Sequence, residues 1–204
     1  MNQHNDFPFF ESIRLQDGAF CLLAMHQHRM EETLENHQIN QPVFDLKTYL
    51  HSFTFPEKGL FKCRLDYGKT LAMPEFIPYR PKLIRTLKCI DCDDVSYNFK
   101  YNNREQIAAC FAKRGQADDV VILRNGLITD TSYCNIVFFD GKEWITPESP
   151  LLKGVQRTFL LNQACIKSGR LHRDDIKNFQ KFRLFNAMIP WEEAIELPVS
   201  AILD

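Results

Sequence analysis

Hydrophobic and polar positions alternate in short runs through the first half of the chain. Phe9 to Leu15 and Ala19 to Leu23 read as two strands around the turn Gln16-Asp17-Gly18. His26 to His37 is rich in Glu and free of Gly and Pro, and it predicts a helix. Asp45 to Phe53 predicts a second helix. Leu60 to Tyr67, Leu71 to Tyr79 and Ile84 to Ile90 predict strands, with Pro74, Pro78 and Pro81 blurring their edges.

Punctuation is sharper in the second half. Arg104 to Arg114 has helical spacing, with Asn102 or Asn103 as its cap and Gly115 closing its end. Val120 to Leu123 is an apolar run that reads as a buried strand, and Asn125-Gly126 follows as a turn. Ile136 to Phe139 and Glu143 to Ile145 predict a hairpin across Asp140-Gly141. Gly154 opens a helix that the pattern carries to about Lys167, with Gly169 past its end. A short helix over Asp174 to Phe179 and strands over Phe182 to Phe185 and Ala194 to Val199 complete the chain. Strands outnumber helices, which makes the fold class α+β.

Composition narrows what such a fold can do. In 204 residues, 45% are hydrophobic and 25% charged. A chain of that size buries roughly 70% of its unfolded surface without staples. The net charge of -1 argues against a nucleic-acid partner, which wants a basic excess. Met1 to Phe10 shows no leader pattern and no apolar run approaches bilayer length, so a cytoplasmic location without a membrane partner is expected. The seven cysteines are scattered and odd in number, which favours reduced thiols over a disulfide framework. Cys89 and Cys92 form a CxxC, but no second pair stands at zinc spacing, and the stretch is strand-like where redox use wants a helix N-terminus. His26 and His28 lack an evident third ligand, so no metal is expected.

Three segments bring chemistry in one order. Phe99-Lys100-Tyr101-Asn102-Asn103-Arg104 sets a lysine just before a capped helix. Gly126 to Ile136 sets Asp130 between a turn and a buried strand. Leu152-Lys153-Gly154-Val155-Gln156-Arg157 sets a glycine at a helix start. Alone, Lys100 would read as a solvated surface lysine, Asp130 as a turn residue, Arg29 as a helix-surface arginine and Gly154 as a plain helix start. Together they meet the demands of pyridoxal 5'-phosphate: a lysine amine, a carboxylate for the ring nitrogen, and a helix N-terminus with an arginine for the phosphate.

These segments resemble the class IV (fold type IV) pyridoxal-phosphate enzymes, which include branched-chain aminotransferases, D-amino-acid aminotransferases and 4-amino-4-deoxychorismate lyase. Lys100 and Asn103 match K-x-x-N, followed by Arg104 as in the lyases. Gly126, Asp130, Asn135 and Ile136 match G-x-x-x-E-x-x-x-x-N-[ILV], with Asp in place of Glu. Thr146-Pro147 and Leu152, Gly154, Val155 and Arg157 match T-P and L-x-G-[IV]-x-R. Phe10-Glu11-Ser12-Ile13-Arg14 is similar to F-E-T-x-R, His26 to Met30 to H-x-x-R-[LM], and Asn186-Ala187-Met188 to the late N-A-[LM] of the lyases. Family members usually begin some twenty residues earlier, so the resemblance implies a short form.

The resemblance implies a small N-terminal α/β lobe, residues 1–97, and a larger strand-rich, barrel-like C-terminal lobe, residues 98–204. It implies that Lys100 holds the cofactor as a Schiff base and acts as the catalytic group. Asp130 would face the ring nitrogen, and Asn135 would be a further cofactor contact. Arg29 and the N–H groups of Val155 and Gln156, after Gly154, would hold the phosphate. Asn186 and Ala187 would contribute further cofactor contacts. Arg14 and Arg64 are candidate contacts for substrate carboxylates. The lyase branch would take a small amino compound, 4-amino-4-deoxychorismate, to 4-aminobenzoate and pyruvate, a folate precursor step, in a homodimer. The alternatives are an aminotransferase for branched-chain or D-amino acids and a non-catalytic cofactor-binding paralogue. The absence of an Arg-x-His carboxylate trap between Tyr67 and Tyr79 counts against the D-amino-acid branch.

Overall fold

Strand β1, Phe9–Gln16, is buried along most of its length, and on one of its faces Glu11 takes a place among Phe9, Ile13 and Leu15. The computed structural model describes residues 7–40 and 44–203. Residues 1–6 of the stretch searched for a leader lie outside that range. By its contacts the chain resolves into two units, Met1–Pro81 with Phe99–Asn103, and Lys82–Asn98 with Arg104–Asp204. The sequence suggests a break at residues 97/98. The contacts instead return only the five residues around Lys100 to the first unit and leave Lys82–Asn98 with the second.

In the first unit, β1, β2 (Ala19–Phe20), β3 (Leu60–Tyr67) and β4 (Glu75–Pro78) form an antiparallel sheet in the order β2-β1-β3-β4. The pairing of β1 with β3 runs from Phe9↔Tyr67 to Gln16↔Leu60. Helices α1 (Leu23–Asn36) and α2 (Leu46–His51) cover one face, closing a core of Phe9, Ile13, Met30, Leu34, Leu46, Leu50, Leu65 and Tyr67. The strand expected over Ala19 to Leu23 stops at Phe20. Leu22 turns left-handed, with φ 53°, and α1 starts at Leu23. Of the strand expected over Leu71 to Tyr79 only Glu75–Pro78 pairs.

In the second unit, β5 (Leu87–Asp91), β6 (Asp119–Arg124) and β7 (Leu127–Thr131) lie in a sheet of order β13-β5-β6-β7, where β13 is Ile202–Leu203. Helix α3, Glu105–Ala112, links the parallel pair β5 and β6. The turn joining β6 to β7 has positive φ at Asn125 and Gly126, as the Asn-Gly pair predicts. A five-stranded sheet of order β10-β9-β8-β11-β12 contains β8 (Asn135–Phe139), β9 (Trp144–Pro147), β10 (Lys167–Gly169), β11 (Lys181–Phe185) and β12 (Ile195–Pro198). Helix α4 spans Val155–Asn162, about half the length the pattern suggests. Ala164 then turns left-handed, φ 53°, and the chain enters β10 parallel to β9. Gly169 is thus a strand residue, placed where a Cβ would come within 2.8 Å of Ile145.

Two other expectations change. Helix α3 has no side-chain cap: Asn102 donates its amide to the carbonyls of Phe7 and Phe9. Cys92, just past β5, and Cys110 on α3 are paired as a disulfide, where seven reduced thiols were expected. They are 18 residues apart in sequence, and proximity in the fold is invisible in their spacing. No helix among the described residues is long and apolar enough to cross a membrane.

Candidate active site

The inward carboxylate of Glu11 dictates part of the first unit's chemistry. A fully buried charge needs partners, and α1 supplies them at i and i+3. Arg29 Nε donates to Glu11 Oε1 at 2.9 Å, Arg29 Nη2 donates to Oε2, and His26 Nδ1 lies 2.7 Å from Oε2. Burial pushes the Glu11 carboxyl up, but Arg29 and His26 outweigh it and hold the group at about 2. Arg29 is therefore not the solvated helix residue its neighbourhood in sequence suggests. Its side chain is only 11% exposed. His28, one position earlier, is exposed.

The Lys100 segment runs antiparallel beside β1. The Phe10 N–H donates to the Lys100 carbonyl at 3.0 Å, the Asn102 N–H donates to Pro8, and Phe9 bridges Tyr101. The Lys100 Nζ lies 4.6 Å from the Phe10 ring centroid, and the Arg64 guanidinium lies 4.3 Å from the same ring. Arg64 stands opposite Ser12 on β3, forms an ion pair with Asp66, Nε to Oδ1 2.9 Å, and donates to Asn102 Oδ1. Arg14 shares this sheet face through the alternation of β1 and donates to Gln16 Oε1 at 3.2 Å. Lys100 and the two arginines proposed for substrate carboxylates are thus all in the first unit, two of them on one aromatic ring.

In the second unit, Asp130 near the end of β7 is 5% exposed. Asn135 Nδ2, from the first residue of β8, donates to its Oδ1 at 2.7 Å. The Leu152 N–H donates to its Oδ2 at 2.9 Å. Burial pushes the Asp130 carboxyl up to about 6, against those hydrogen bonds and the charge of Arg157. Arg157 itself donates Nη2 to the Pro147 carbonyl at 2.7 Å. A helix N-terminus follows directly: Gly154 caps α4 without a side chain, leaving its first turn free of side-chain capping. Val155 and Gln156 in that turn are buried.

Asp130, Asn135 and Gly154 therefore converge as expected. Asn186 lies just past β11. Its Oδ1 accepts from the N–H groups of Met188 and Ile189, and its Nδ2 donates to the Tyr133 carbonyl. It fastens a tight turn that contains Ala187 to the loop between β7 and β8. The Leu152 N–H and Arg157 were not singled out from the sequence, although both lie in the L-x-G-[IV]-x-R segment. In the sequence Glu11 stands only as a motif letter, and His26 as a motif letter and a metal-ligand candidate without a third partner. The signal for them was an acid at an inward position of an apolar strand.

The donor set fits a pyridoxal phosphate. A buried acid held at about 6 by desolvation gains from a cationic ring N–H beside it. An uncapped helix start beside that acid offers N–H groups and partial positive charge to a phosphate. The glycine at its head leaves room for the Asn135 side chain that holds the acid.

Comparisons with known proteins bear on the family and the fold. The sequence profile of the family described as Amino-transferase class IV matches residues 69–196. A Haemophilus influenzae protein, named only as uncharacterised, is 35% identical over 184 residues, which is 89% of this chain and 98% of that protein. A crystal structure from Haemophilus somnus, provisionally named 4-amino-4-deoxychorismate lyase, superposes with a TM-score of 0.84 at 32% identity, covering 93% of this chain and 99% of that one. The T.th. branched-chain amino acid aminotransferase, complexed with N-(5'-phosphopyridoxyl)-L-glutamate, has the same fold, with a TM-score of 0.71 at 15% identity over 97% of this chain and 77% of that one.

Proposed function

The chain belongs to the class IV aminotransferase family, and from that membership we propose that it is a pyridoxal-phosphate-dependent lyase converting 4-amino-4-deoxychorismate to 4-aminobenzoate and pyruvate. The observation that carries the cofactor reading is the buried Asp130, held by Asn135 and the Leu152 N–H at the uncapped start of α4. Full-length likeness to the Haemophilus somnus chain supports the lyase branch within the family.

Pyridoxal phosphate, when bound, supplies an electron sink for the charge left as a proton departs. Lys100 would hold it through its ε-amine, and the same amine, when free, would take the proton from the substrate ring carbon. The ring C–O bond to the enolpyruvyl group breaks, the departing enolpyruvate takes up a proton to become pyruvate, and aromatisation of the ring drives the reaction forward. Asp130 keeps a negative charge in a dry place for the ring nitrogen, and Asn135 fixes its orientation. Val155 and Gln156 offer backbone N–H groups to the phosphate, and Arg29 offers charge. Asn186 acts by holding the turn around Ala187 against the β7–β8 loop. Arg14 and Arg64 meet the substrate carboxylates.

The test is pyruvate release from 4-amino-4-deoxychorismate as the only substrate. A lyase yields pyruvate and 4-aminobenzoate in equal amounts. An aminotransferase instead converts its cofactor to the amine form with an amino acid alone, and a non-catalytic binder does neither. The reading also expects a cytoplasmic homodimer. Sedimentation of a fully active monomer at micromolar protein would contradict that part.

A further inference from the structure

His26 is fully buried in the first unit, yet its Nε2 has no hydrogen-bond partner among the described residues. The other nitrogen is committed. Nδ1 lies 2.7 Å from Glu11 Oε2, and an ionised carboxylate only accepts, so Nδ1 carries the proton. A neutral ring then presents a bare lone pair at Nε2. Leaving a buried polar atom without a partner is costly. The charges around it come from each neighbouring element: Glu11 on β1, Arg29 on α1, and Lys100 on the segment beside β1. Glu11 favours a second proton on His26, while burial, most strongly, and then Arg29 and Lys100 oppose it. Glu11 and Arg29 neutralise each other, so nothing in the ligand-free cluster calls for a further positive charge.

We propose that His26 belongs to the phosphate site and takes up a proton at Nε2 when a phosphate group binds beside Arg29. The inference rests on the reading of Arg29 as a phosphate contact. A dianion brought to an already neutral buried pair finds there only the single charge of Lys100 to offset its two. Protonation of His26 supplies the other and turns Nε2 from an acceptor into a charge-assisted donor. His26 thereby changes from a neutral support of Glu11 into a second cation for the phosphate, and binding is linked to pH.

Calorimetric binding to the ligand-free protein, in buffers of different ionisation enthalpy, tests this with inorganic phosphate and with pyridoxal phosphate against pyridoxal. Above about pH 7.5, where inorganic phosphate is already a dianion, its binding should take up about one proton and its affinity should fall about tenfold per unit rise. Pyridoxal phosphate should take up about one proton more than pyridoxal, which has no phosphate. Nitrogen NMR of the histidines, with the His26 signals identified by their loss in His26→Gln, should show a neutral ring becoming imidazolium on phosphate binding. In His26→Gln, which still offers Glu11 a donor, the uptake and the pH slope should vanish. Phosphate binding with no proton uptake and unmoved His26 signals overturns the inference and leaves the Arg29 reading intact. Phosphate binding by Arg29→Ala with wild-type affinity overturns both.

Discussion

A Cβ added at Gly154 would lie 2.0 Å from Oδ1 of Asn135. The same Asn135 side chain donates to Asp130 and to the Leu152 carbonyl, so the space above Gly154 belongs to the group that orients the buried acid. The φ of Gly154 is -63°, which any residue adopts. Glycine is required here for room and not for backbone freedom.

Gly154→Ala should therefore displace Asn135 and loosen Asp130. Crowding of this kind costs about 1–3 kcal/mol of stability, and affinity for pyridoxal phosphate should fall as well. Thermal melts and cofactor titration by absorbance measure both. Wild-type values in each would mean that the 152–154 backbone yields and that the close approach does not matter.

Asp130 itself gives a sharper comparison. Asp130→Asn removes the charge but keeps the shape, so cofactor should still bind while turnover falls about 100-fold or more, about 2.7 kcal/mol of barrier. Glutamate, which the family usually carries, is one methylene longer. Both Asp130 oxygens already have donors at 2.7 and 2.9 Å, and a carboxylate moved by about a bond length loses at least one of them. Asp130→Glu should lower activity. Higher activity than wild type would show that the site relaxes to accept the longer side chain.

The two buried carboxyls should pull stability in opposite directions with pH. The native state of the ligand-free protein keeps a proton on Asp130 until about 6, whereas the unfolded chain loses it near about 3.9. That contribution is complete below about pH 3.9 and disappears as pH rises through about 6. Glu11, held at about 2, contributes fully above about pH 4.3 and loses its contribution as pH falls toward about 2. Urea unfolding across this range should show Asp130→Asn flattening the loss on the neutral side and Glu11→Gln flattening the loss on the acid side. Parallel curves for wild type and both variants would contradict the assignment of these two groups.

Much of this was legible in the sequence because local chemistry leaves local marks. The span Leu60–Tyr67, the Asn125-Gly126 turn and the hairpin at Asp140-Gly141 stand where alternation and turn residues put them. The convergence of Asp130, Asn135 and Gly154 was legible only as ordered motifs. What failed was non-local. The run after Gly154 keeps helical composition beyond Asn162, but pairing with β9 captures Lys167–Gly169 as a strand. Asn102 looked like a helix cap and is instead consumed by carbonyls of the N-terminal segment. The Cys92–Cys110 pair joins residues whose separation in sequence says nothing of their distance in space. The buried pairing of Glu11 with Arg29 joins positions 18 residues apart through a helix and a strand, and composition alone could not reveal it.

The central claim is that Lys100 holds the cofactor. Purified protein loaded with pyridoxal phosphate should be yellow, and borohydride reduction followed by peptide mapping should find the cofactor fixed to the peptide carrying Lys100. Lys100→Ala should lose both the label and the activity. A label on any other lysine, with Lys100→Ala still yellow and active, would contradict the account.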